Sequence, residues 1–92
     1  MVEVHAEPEG NAWSCEVRVD QGGELTQHVV AVTAADLERW GHGPTREDVE
    51  DLVARSFDFL LRREPPSSIL RRFDLAVIQR YFPEYDRELR QG

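Results

Sequence analysis

Apolar and polar residues alternate through the first third of the chain. Trp13, Cys15, Val17 and Val19 interleave with Ser14, Glu16, Arg18 and Asp20, the two-residue period of a strand with one buried face. The next run, HVVAVT from His28 to Thr33, has no clear phase of its own. Gly22-Gly23 settles it, because glycine accepts the positive φ of a two-residue hairpin turn. Pairing Gln21 with Glu24 then sets Val17 opposite His28, Cys15 opposite Val30 and Trp13 opposite Val32, so register and hydrophobicity agree. Upstream, PEGN (Pro8 to Asn11) reads as a four-residue turn. With Glu7 facing Ala12, Val2, Val4 and Ala6 join the same inner face. Residues 1–33 therefore predict a three-stranded antiparallel β-meander, order 1-2-3. Its outer face shows Glu3, His5, Glu7, Glu16 and Asp20, together with Leu25, Val29 and Ala31.

From residue 34 the period changes. Thr33-Ala-Ala-Asp36 and Thr45-Arg-Glu-Asp48 each place a hydroxyl three residues before an acid, a capping-box variant that marks a helix start. The first helix is short, since GHGP follows Trp40. In the second, Val49, Leu52, Val53, Ser56, Phe57, Leu60 and Leu61 recur at helical spacing, with Phe59 widening the stripe, which predicts a core helix to about Glu64. Pro65 and Pro66 must end it. Ser67 or Ser68 can cap a short helical turn, SILRRF, and Asp74 another, LAVIQRYF; Pro83 either stops that one or opens a final turn, PEYDREL. Pieces this short persist only when packed, so the prolines fold an apolar C-terminal segment back over the core. The whole reads as a single α+β domain over residues 1–92: a meander with one face covered by a C-terminal cluster of helices spanning 34–92.

The stretch SFDFLLRREPPSSILRRFDLAVIQRYFPEY, Ser56 to Tyr85, resembles the C-terminal signature of a family of small uncharacterised bacterial proteins, roughly SFxFLLxREPxxSILxxFxLxxIxxYFPEY, preceded by paired strands. The resemblance covers residues from about Trp13 to Tyr85. It implies a bacterial source and brings no active site with it.

Charge narrows the classes of partner. The formal net charge is −7, unevenly spread. Residues 1–61 carry four arginines against thirteen acidic residues, while residues 62–92 carry seven against five. That balance disfavours nucleic acid, which needs a concentrated positive face. All eleven basic residues are arginine, the mark of a GC-rich bacterial genome. No run of about 18 apolar residues could span a bilayer. The acidic N-terminal segment lacks the basic and apolar regions of a secretory signal, so a cytoplasmic location is expected. The single cysteine, Cys15, offers neither a disulfide nor a zinc spacing.

Candidate chemistry is sparse. Cys15 and His28 share the inner face in diagonal positions about 7–8 Å apart, a conceivable nucleophile and base. Burial and the lack of a third, orienting group argue for packing roles instead. His5, His28, His42 and Cys15 come from separate segments and match no usual metal site. DQGGE and GHGP lack the ligands of a calcium loop and the ending of a phosphate loop, and read as turns. Trp40 could stack on a ligand, but its spacing from Leu37 suits a core aromatic. No cofactor is expected. Arg62, Arg63, Arg71, Arg72 and Arg80, with Phe73 and Tyr81 among them, could form a nucleic-acid patch; a solvated face with ion pairs is the plainer reading. The sequence thus points to a non-catalytic bacterial protein that binds a protein partner or regulates one. The alternative is a nucleic-acid-associated or antitoxin-like regulator using the C-terminal arginines. The apolar outer positions of strand 3, Leu25, Val29 and Ala31, suggest a protein interface and a homodimer through that strand.

Overall fold

The structure, a computed structural model, describes residues 1–91, the side chain of Gln91 excepted. Three long strands, β1 (Val2–Glu9), β2 (Ala12–Gln21) and β3 (Glu24–Thr33), form consecutive antiparallel hairpins. The β2–β3 register is the one the glycine pair implies, with Val17 opposite His28, Cys15 opposite Val30 and Gln21 closing on Glu24. Gly22 (φ 60°) and Gly23 (φ 84°) both take the positive φ that a type I′ turn demands.

The first hairpin is tighter than its sequence suggested. Glu9 pairs with Ala12, so Gly10 and Asn11 alone make the turn, and Glu7 faces Ser14 instead of Ala12. The change is a shift of two residues, which keeps every side chain on its expected face: Val2, Val4 and Ala6 still point inward, now opposite Val19, Val17 and Cys15. Pro8 is drawn into β1. This costs nothing at an edge strand, because Met1 and Asp20 exchange both backbone bonds and the even-numbered residues of β1 turn their N–H groups outward. The same edge is further blunted by the helix that carries Glu50, whose Oε2 accepts the outward N–H of Ala6 at 3.0 Å.

Both capping boxes form. Thr33 caps α1 (Ala34–Trp40) with Asp36 answering, and Thr45 caps α2 (Arg46–Leu61) with Asp48 answering. Helix α2 crosses the inner face of the sheet and buries Val49, Leu52, Val53, Phe57, Phe59 and Leu60. It ends at Leu61, three residues before the predicted Glu64.

The REPPSSILRRF segment departs from expectation. Pro66–Ser68 makes one 3₁₀ turn, and no side chain caps it. The chain then extends, and Arg72–Asp74 becomes a fourth strand, β4, parallel to β3. The sheet is thus a four-stranded mixed one, β1-β2-β3-β4, and not a three-stranded meander. Backbone bonds explain why strand wins over helix here: Val29 N–H donates to Arg71 O (2.8 Å) and Leu75 N–H to Ala31 O (2.9 Å), satisfying groups that β3 would otherwise leave open. Strand β3 is accordingly interior from Val29 to Ala31, so two of the three expected interface positions no longer lie on a free edge, while β4 does not pair with the Leu25 end.

The chain closes with α3 (Val77–Tyr81) and α4 (Glu84–Gln91). Asp74 lies within β4 and caps nothing; α3 starts after Ala76 without a side-chain cap. Pro83 precedes α4, the second of its two expected roles. Tyr85 and Leu89, four residues apart, form the buried stripe of α4. Tyr85 sits edge-on to Trp40 (5.0 Å) and Phe59 (5.2 Å), and its hydroxyl lies 2.7 Å from Ser56 Oγ. Ser56 donates to Leu52 O at 2.8 Å, so its oxygen accepts the tyrosine proton and the buried polar pair is satisfied.

Candidate functional site

The inner-face pair Cys15 and His28 comes first, because it is the nucleophile and base that the sequence suggested. Cys15 is fully buried, and burial, with Glu50 adding to it, pushes its thiol up to about 12. A thiol held in that state supplies no thiolate near neutral pH. His28 is equally committed. Its Nδ1 lies 2.7 Å from the Leu70 carbonyl, which can only accept, so Nδ1 carries the proton; Nε2 accepts from the Thr26 hydroxyl at 2.9 Å. Both ring nitrogens are used, and the ring packs on Phe57 at 5.3 Å. Burial, helped by Arg71, lowers the His28 pKa below its ordinary value, the Leu70 bond opposing. Cys15 and His28 are packing residues in this arrangement.

Trp40 is buried, and its indole N–H donates to Asp86 Oδ1 at 2.9 Å, so it joins α1 to α4 and stacks on no surface. His5 lies on the outer face, in register with Glu16 and Val29, whereas His28 turns inward, and among the described residues no cluster of three or more histidine, cysteine or acidic side chains is placed to hold a metal.

The five arginines do not meet. Arg63 is clasped between helices: its guanidinium lies 3.6 Å over the Phe59 ring, and it bonds Glu88 (2.8 Å), Glu84 (3.4 Å) and Phe59 O (3.0 Å). Arg62 stands 3.6 Å from Glu88. Arg71 lies beside Glu3, His5, Glu16 and Arg18 on the outer face. Arg72 and Arg80 share another depression with Glu9 and Asp74. The positive face that the sequence left open is divided among three places, each with carboxylates.

A hollow does form around REPPSSILRRF, from the apolar C-terminal segment expected to fold back over the core. The 3₁₀ turn and β4 pass over the C-terminal end of α2, while α3 returns alongside. Between them lies a hollow of about 220 Å³. Leu60, Ile69, Phe73 and Ile78 are its buried floor, and Leu70 and Tyr81 stand at its rim, 51% and 69% exposed. The ionisable group with a resolved shift here is Glu64, whose carboxyl is held above its ordinary range by burial. Leu70 and Tyr81 also border the wider depression of about 580 Å³ that holds Arg72 and Arg80, and Val29 and Ala31 lie in it. Two of the three predicted interface residues thus belong to a surface centred on Leu70 and Tyr81; Leu25, 62% exposed, lies outside it. The sequence signal for the rim was slight: Leu70 lies in the link between the 3₁₀ turn and β4, and Tyr81 ends α3, a helix of five residues that buries only Ile78.

No family model, curated protein or solved structure matches the chain. No helix among the described residues is long and apolar enough to cross a membrane.

Proposed function

We propose that this is a non-catalytic protein-binding module whose docking surface is the hollow rimmed by Leu70 and Tyr81. The observation that carries the reading is the exposure of these two large apolar side chains at the rim of an apolar hollow of about 220 Å³. Small-molecule sites usually enclose roughly 300–1,000 Å³ with several converging polar groups. This one has room for a single large side chain, and exposed aromatic and aliphatic rims around such a recess are how protein interfaces seat an anchor. The wider neighbouring depression is larger, but Glu9, Arg72, Asp74 and Arg80 make it a solvated surface. It supports the reading as the polar rim of the same interface. The commitment of Cys15 and His28 to packing favours binding over catalysis.

The test is photo-crosslinking in the source cells. With p-benzoylphenylalanine at position 81 or 70, one discrete protein adduct is expected, absent when the same group replaces Leu25. Adducts confined to position 25, or none at 70 and 81, would overturn the assignment of the surface.

A further inference from the structure

Glu64 stands out on this surface. It sits at the apolar hollow, partly removed from water, and among the described residues no hydrogen-bond or ion-pair partner reaches its carboxylate. The nearest basic residues in sequence are spoken for: Arg63 by Glu84, Glu88 and the Phe59 ring, Arg62 by Glu88. A carboxylate beside an apolar recess, with no internal cation, is a preference for positive charge in whatever fills that recess. The volume limits the filler to about one side chain.

Building on the docking reading above, we propose that the hollow receives an apolar anchor side chain from a basic protein segment, a lysine or arginine beside the anchor pairing with Glu64. Charge complementarity acts at two ranges. At contact, Glu64 meets the segment's cation. At longer range, a chain of net charge −7, with Glu3, Glu7, Glu9 and Glu16 on the outer sheet face, attracts a basic partner and repels an acidic one. An acidic segment would find Arg72 and Arg80 nearby, but Glu9 and Asp74 lie in the same depression and offset them.

A random dodecapeptide library displayed on phage and selected against the intact protein tests this. Enriched peptides should carry an aromatic or long aliphatic residue with lysine or arginine within two positions. Fluorescence anisotropy of one synthetic copy should show at least about a tenfold loss of affinity for Leu70→Ser with Tyr81→Ser, as for loss of an anchor contact. Glu64→Gln should cost about two- to fivefold, the range of a half-exposed ion pair, and that difference should vanish in high salt. Melting curves matching the parent would show that the variants fold. Enriched acidic peptides, or indifference to Glu64→Gln while the double variant still abolishes binding, would overturn the basic-segment inference and leave the docking surface standing. No enrichment, or binding indifferent to Leu70 and Tyr81, would overturn both.

Discussion

His28, in the middle of β3, donates its Nδ1 proton to the backbone carbonyl of Leu70 across 2.7 Å, and so ties the buried sheet to the segment that forms the rim of the hollow. One side chain links the core to the rim of the hollow. Replacing it leaves the Leu70 carbonyl and the Thr26 hydroxyl short of a partner and a void beside Phe57. His28→Ala should therefore destabilise the protein by about 2–4 kcal/mol in urea denaturation.

The same histidine sets a pH dependence. Its folded-state pKa lies below the ordinary 6.5 of the unfolded chain, burial being the main cause. Between those two values the unfolded state binds more protons, so stability is complete above about 6.5 and is lost as pH falls through the folded value. Carboxylates held low, such as Asp48, Glu84 and Asp86, add their own losses at more acid pH. The His28 share is the difference between parent and His28→Gln: unfolding free energies should converge as pH drops from 7 to 5. Parallel curves would show that His28 does not titrate with folding.

Leu60 is 4% exposed on α2 and forms part of the floor of the hollow. An aspartate there would bury an unpaired carboxylate at a cost of several kcal/mol, a large part of the stability of a domain this size. Leu60→Asp should lose its cooperative melt by circular dichroism.

Arg63 combines a cation–π contact with bonds to Glu84, Glu88 and Phe59 O, each anchored on a different turn. Its planar fork makes lysine a poor substitute. Arg63→Lys should cost about 1–2 kcal/mol by urea denaturation, whereas Arg62→Lys, at an exposed pair of 3.6 Å, should cost under about 0.5 kcal/mol.

Several of these features were legible in the residues. The glycine pair fixed the β2–β3 register because a two-residue turn leaves no freedom in the pairing, and each Thr-x-x-Asp named a helix start because both partners of the capping box lie in the local sequence. Strand β4 was not legible. Arg72-Phe73-Asp74 alternates, but three residues are too short a run to mark a strand, and the reason they extend is non-local: backbone groups of β3 and the ring of His28, some forty residues earlier, bind the residues on either side of them. The hollow went unread for the same cause. Its lining comes from the end of α2, the 3₁₀ turn, β4 and α3, and nothing local in REPPSSILRRF says that these converge.

Cys15 gives a direct check of the inner-face assignment. With no exposed surface and a thiol raised to about 12, it should resist alkylation by iodoacetamide in the native state and react fully once the chain is unfolded. Rapid native labelling at neutral pH would reopen the nucleophile reading.

The remaining rival to a protein partner is nucleic acid, and salt dependence separates the two. A duplex binder making six or more phosphate contacts loses roughly a thousandfold or more in affinity between 50 and 200 mM salt. Such contacts need an excess of positive charge on one face; Arg71, Arg72 and Arg80 do share the outer sheet face, but Glu3 and Glu16 stand with the first and Glu9 and Asp74 with the others, while Arg62 and Arg63 serve α4. Any approaching backbone would meet a carboxylate beside each cation. Fluorescence anisotropy with a random duplex and a single strand should accordingly find no binding tighter than about 10 μM at physiological salt, where non-specific binders reach about 1–100 μM. A sub-micromolar, salt-sensitive isotherm abolished by Arg71→Glu with Arg72→Glu would reverse the choice, because it would require the arginines of the outer sheet face to prevail over the carboxylates beside them.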